Sequence, residues 1–135
     1  MESDDHYGVT LAAIAVGAAP ENYAQTEPAK KGMQGVRKYL KNNPAPMLHH
    51  RAMLLWGASY FSDLMPEQEK KTTIEQLSAV QKRDGGWNLP SLGKWKRGDG
   101  KEQDLETSDG YATGFAVYVV RRAGIPAKDA RVQKG

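Results

Sequence analysis

The sequence predicts an all-α fold of stacked helical hairpins, and three observations carry that expectation. Apolar and amphipathic helical segments alternate along the chain, the apolar ones recurring at intervals of about 40 to 60 residues, which is the signature of a repeat architecture. Two of the apolar segments open on the same acid-x-x-Asp-x-Tyr spelling, Glu2, Asp5 and Tyr7 in one and Glu106, Asp109 and Tyr111 in the other. The amphipathic segments begin on prolines and acids, Glu27-Pro28 and Pro66-Glu67, residues that suit a first helical turn.

In chain order, YGVTLAAIAV, Tyr7 to Val16, is almost wholly apolar and reads as an inner helix buried nearly all round, with Asp4 and Asp5 at its positive end and Pro20 beyond its stop. EPAKKGMQGVRKYLKNNP, Glu27 to Pro44, is an amphipathic outer helix with Met33, Val36 and Leu40 on its apolar stripe. The pair repeats. His49 to Met65 is a second inner helix, and Pro66 to Gln81 a second outer one. Ser108 to Gly124 is a third inner helix, stopped by Gly124 and Pro126, and KDARVQKG starts a third outer one. The expectation is one helical-repeat domain over residues 1–135, about two and a half hairpins, forming part of a longer protein. A long loop, 86–107, interrupts the pattern; its Trp87, Leu89, Leu92 and Trp95 predict that it packs against the helices.

Composition bounds the function. The 135 residues suffice for one domain with a real core. The net charge is +3, with Lys and Arg interleaved with acids, so no basic stripe points to nucleic acid. There is no cysteine, which excludes disulfides and thiolate metal sites. No window reaches the roughly 18 apolar residues of a membrane span, and Met1 is followed by ESDD rather than by a signal sequence. The compartment stays open.

The most specific stretch is the end of the second outer helix, Leu77-x-x-x-Gln81-x-x-x-Gly85-Gly86-Trp87. A glycine pair stops a helix, but a tryptophan straight after it is a large apolar group in a turn and needs a cover. Gln81 can satisfy carbonyls left free at a helix end or donors in the next turn. This stretch resembles the QW repeat of the squalene-hopene and oxidosqualene cyclases, and DGGW-type turns also occur in the related protein prenyltransferases. Lys31-Gly32 with Tyr39-Leu40 resembles the first half of another copy at wider spacing, with Pro44 in the place of the glutamine. Gln133-Lys134-Gly135 resembles the opening of a further one. Gln76 stands where the repeat has an aromatic residue.

The resemblance implies a partial (α/α) toroid, with inner helices lining a cavity and the motif residues Leu77, Gln81, Gly85, Gly86 and Trp87 tying neighbouring hairpins together. It also implies a catalytic reading of ESDDHY. Glu2-Ser3-Asp4-Asp5 resembles the Asp-x-Asp-Asp motif of the hopene-type cyclases, with Asp4 as the Brønsted acid that opens polyprenyl cyclisation and Asp5 and Glu2 as its neighbours. Such an acid must be kept protonated, which burial and clustered like charges achieve. Tyr7, His49, Trp56, Asp109, Tyr111, Phe115 and Tyr118 would then line the cavity, the aromatic faces stabilising carbocations. The plainer reading is that acids before an apolar helix cap its free N–H groups, as Ser108-Asp109 repeats at a second hairpin.

Other constellations are weaker. His49 and His50 are adjacent, diverge on a helix, and read as a polar inner-helix start rather than a metal site. The RGD at Arg97 to Asp99 is too short to mean adhesion, and the glycines near it form no phosphate loop. No cofactor or metal is expected. Two functions of different class remain: a cyclase-like enzyme of triterpene type, not catalytic in this chain alone, or a non-catalytic helical-repeat binding domain. The first implies a hydrophobic isoprenoid substrate and peripheral membrane association. Open repeat ends would leave apolar helix faces for self-association or a partner.

Overall fold

The structure, a computed structural model, describes residues 4–135, so Glu2 lies outside the described residues. It is helical throughout: α1 (Asp5–Ala18), α2 (Glu27–Asn42), α3 (Leu48–Ala58), α4 (Glu67–Ala79), a single turn α5 (Leu89–Leu92), α6 (Gly110–Arg122) and a short α7 (Ala130–Lys134), with no strand among the described residues. Helices α1, α3 and α6 lie side by side in that order; α2 packs on α1, α4 on α3, and α7 on α6. The inner-outer alternation expected from the sequence is therefore the packing order of the chain.

Local chemistry accounts for the elements. Thr26 caps α2, its Oγ1 accepting from the Ala29 amide at 3.4 Å, and Pro28 occupies the first turn, where its missing N–H costs nothing. Ala29 and Met33, four residues apart, are the buried side chains of that helix, while its charged face meets solvent. Helix α3 is the buried one: eight of its residues, His49 and His50 among them, are shielded from solvent. At Gly57 it packs on α1, where a Cβ would lie in ordinary van der Waals contact with Thr10 and Ile14.

Two expectations are corrected. Helix α1 is buried on one face only, by His6, Thr10, Ala13 and Ile14. It packs on α2 and α3, and nothing among the described residues covers its other face, where Leu11 is 43% exposed. The second inner helix stops at Ala58 rather than running to Met65. Ser59 turns its hydroxyl back onto the Trp56 carbonyl at 2.7 Å, an alternative to the next helical bond. The following 3-10 turn, Ser62–Leu64, is held by the Arg37–Asp63 ion pair reaching across from α2.

The core joins Leu54, Leu55 and Ala58 of α3 to Leu77 of α4, Ala116, Val119 and Val120 of α6, and the loop residues Trp87 and Leu92. The loop is thus packed, as its apolar residues predict, and it is cross-tied rather than featureless. Asn88 caps α5 through Oδ1 and donates Nδ2 to the carbonyls of Asp104 and Thr107. Gln103 reaches the Trp95 carbonyl at 2.8 Å, and Lys82 the Leu105 carbonyl at 2.7 Å.

Candidate functional site

Two sets of predicted residues can be located, the turn motif and the inner-helix starts. At the turn, Trp87 is 1% exposed, and its indole Nε1–H donates to the Leu77 carbonyl at the end of α4 at 2.7 Å. Gln81 donates Nε2–H to two carbonyls, Gly85 at 2.6 Å and Arg131 of α7 at 2.9 Å. One glutamine therefore closes its own turn and clamps the next outer helix. Gly85 has φ of +95°, and a Cβ there would lie 2.1 Å from the Lys134 carbonyl oxygen, so α7 rests directly on the turn. At Gly86 a Cβ would meet Ser108 and Thr113, the start of α6. Gln81, Gly85, Gly86 and Trp87 thus contact the next hairpin, while Leu77 receives the Trp87 indole and lies in the core.

The starts of the inner helices form a different environment. His49 on α3 is the centre of an aromatic cluster. Its ring stacks on Phe115 at 4.7 Å between centroids, lies nearly parallel to Tyr7 and Tyr111 at 6.0 and 6.2 Å, and meets the edge of Trp95 at 5.3 Å. Its Nε2 is 3.0 Å from the Tyr111 hydroxyl. Tyr7 and Tyr111, the equivalent tyrosines of the two acid-x-x-Asp-x-Tyr copies, thus flank the same histidine. Burial, and next to it the neighbouring His50, hold the His49 pKa down to about 4, so the ring is neutral at pH 7. Burial likewise lowers His6, and raises the Tyr111 phenol.

Beside this cluster, His50 donates Nε2–H to the Asp4 carboxylate at 2.7 Å. His6 packs edge-on against His50 at 5.6 Å, and all three histidines of the chain meet here. Asp4, Tyr7, His49, His50, Leu89, Trp95 and Tyr111 line an open hollow of about 240 Å³, and a larger neighbouring cavity of about 950 Å³ shares Asp4, His50 and Trp95 with it.

Several placements differ from the sequence reading. Asp4 stands at the N-cap of α1 but makes no side-chain capping bond; its carboxylate turns to His50 instead, and the side chain is 67% exposed. Asp5 is exposed in the first turn. Asp109 is the true cap: Oδ1 accepts from the Ala112 amide and Oδ2 from the Leu89 amide, both at 2.7 Å, so its carboxylate is given over to backbone and does not face a cavity as a free group. Trp56 lies two turns below His49, edge-to-face with Tyr118 at 4.9 Å, on the same side of the inner layer but outside the hollow. His6, His50 and Trp95 were not among the expected catalytic or cavity-lining residues, although His50 was read as part of a polar inner-helix start. The adjacency of His6 to Asp5 and Tyr7 was a signal for the first, whereas Trp95 comes from a loop whose path no periodicity records.

Among the described residues no group of three or more His, Asp or Glu side chains is arranged to hold a metal ion. Compared with protein-family models, with curated proteins and with solved structures, the chain matches none.

Proposed function

We propose that the chain is a helical-hairpin repeat module of the terpenoid-cyclase and prenyltransferase type, whose inner face binds a hydrophobic, isoprenoid-like ligand. The observation that carries this reading is the neutral aromatic stack around His49 opening onto solvent through Tyr111, which is 58% exposed. Stacked ring faces suit an apolar, unsaturated chain, for which each buried CH₂ contributes about 0.8 kcal/mol. The turn motif supports the family assignment through its role: Gln81 bonds the Arg131 carbonyl of α7, and the Trp87 amide bonds the Thr113 hydroxyl of α6.

The test is a titration with geranylgeraniol, read by tryptophan fluorescence. Saturable quenching or blue shift is expected, and Trp95→Phe should remove most of it, because Trp87 is sealed in the core and Trp56 lies outside the hollow. A response carried unchanged by Trp95→Phe would place the ligand elsewhere.

Acid-initiated cyclisation is the second reading, favoured by the position of Asp4 on the wall of the hollow. Protonating an alkene requires a desolvated carboxylic acid. With the Asp4 side chain 67% exposed, that desolvation has to come from walls beyond those described. The discriminating assay is polyprenyl turnover by the longest natural form of the protein with and without Asp4→Asn. A binding module shows no product in either.

A further inference from the structure

A third cavity lies between α2 and the start of α4, with a volume of about 740 Å³; it has no lining residue in common with the aromatic hollow and shares His6 with the larger cavity beside that hollow. Its apolar wall includes Leu40, Leu54 and Leu64. Its charged groups are unevenly matched. Arg37 and Asp63 form a two-point ion pair with each other, which leaves Arg51 and Lys41 against the single carboxylate of Glu69. Neither Arg51 nor Lys41 has an acidic partner within salt-bridge distance among the described residues. The buried polar side chain on this cavity is His6, 6% exposed, with both ring nitrogens lacking a hydrogen-bond partner among the described residues. Buried polar atoms are almost always satisfied, so an orphaned imidazole facing a cavity marks a place where a polar group from outside can bond.

We infer that this cleft binds an amphipathic anion, a single apolar chain ending in a phosphate or carboxylate, with the head on Arg51 and Lys41, the chain along Leu40, Leu54 and Leu64, and an oxygen within reach of His6. An apolar chain alone would leave the two cations and the imidazole unmatched, and a bare anion would leave the leucines wet. Only a ligand with both parts satisfies the whole lining. Arginine favours such a head because its planar guanidinium presents paired donors to phosphate or carboxylate oxygens.

The test is isothermal titration of the full chain with octyl phosphate, octanoate, 1-octanol and inorganic phosphate. Octyl phosphate or octanoate is expected to bind at least tenfold tighter than both 1-octanol and inorganic phosphate, and the stronger of the two names the head group. Arg51→Gln should weaken that binding at least tenfold. Lys41→Gln, an exposed position on α2, should weaken it in the same direction while the circular dichroism melt stays put, which covers the case in which the Arg51 variant folds poorly. The proposal is overturned if neither anion binds, if 1-octanol binds as tightly as they do, or if both variants bind as the parent does. Failure of geranylgeraniol at the aromatic hollow leaves this result unaffected, because Arg51 and Lys41 do not border that hollow.

Discussion

Replacing Gln81 by Ala tests the idea that one side chain joins consecutive hairpins. The parent amide donates to two carbonyls, Gly85 within the turn and Arg131 in the next outer helix. Each bond contributes about 0.5–1.5 kcal/mol net, so their loss predicts about 1–3 kcal/mol. In a chain of this size that is a fall in Tm of roughly 3–12 °C. The loss should be unevenly distributed. Helix α7 has few other anchors, chiefly Val132 against the core and a long 3.4 Å contact from Arg131 to Ser78, so its amides should exchange faster well before the remainder unfolds. Gln81→Glu sharpens the test: it keeps the shape, but an ionised carboxylate has no hydrogen to donate to either carbonyl. It should therefore be at least as damaging as Ala. Thermal melts give the magnitude, and hydrogen exchange followed by mass spectrometry gives the location. If Gln81→Glu melts with the parent, or if α7 exchange is unchanged in Gln81→Ala, the clamp does not hold the hairpins together and the reasoning from the motif fails.

Gly85→Ala should cost about 2 kcal/mol or more, since an L side chain in the left-handed region is strained by itself and the new Cβ would press on the Lys134 carbonyl; a melt within 2 °C of the parent, roughly half a kcal/mol, would refute it. Asp109→Ala removes the acceptor for two amides, one in α6 and one at Leu89, and should lower stability by about 1–3 kcal/mol and loosen the loop together with the helix in hydrogen exchange. His49 has a folded pKa below its unfolded one, so the unfolded chain takes up the proton first; stability is fully present above about pH 6.5 and is lost as pH falls towards about 4. The loss should be on the order of 2–3 kcal/mol, with His6 acting in the same direction, and His49→Phe should flatten the urea-denaturation profile across that window.

The helix order and the joining turn were legible because both rest on local rules. Glu27 and Pro28 mark a start, Gly124 and Pro126 mark a stop, and a tryptophan after a glycine pair has to be buried somewhere close. The end of α3 was not legible. Phe61, Leu64 and Met65 continue an apolar run, and what ends the helix is the Ser59 hydroxyl on a carbonyl together with an ion pair from another helix to Asp63. The free face of α1 was hidden for a related reason. An all-apolar helix predicts burial on every side only if neighbours exist on every side, and α1 has them on one.

The acids show where a sequence pattern divides in three dimensions. ESDD and ETSD look alike, yet Asp109 caps its helix through both oxygens while Asp4 leaves its helix end unbonded to pair with His50. The difference lies in the neighbour. Asp109 faces a backbone, at Leu89, that lacks an acceptor, and Asp4 faces an imidazole supplied by the adjacent inner helix. Two buried histidines, His6 and His49, whose burial disfavours the charged ring, an aromatic stack around the second, and an acid at their edge make the first half of the inner layer chemically unlike the rest of it. That asymmetry, and not the repeated acidic spelling, is what sets the starts of α1 and α3 apart, and it is on this difference that the proposed binding reading rests.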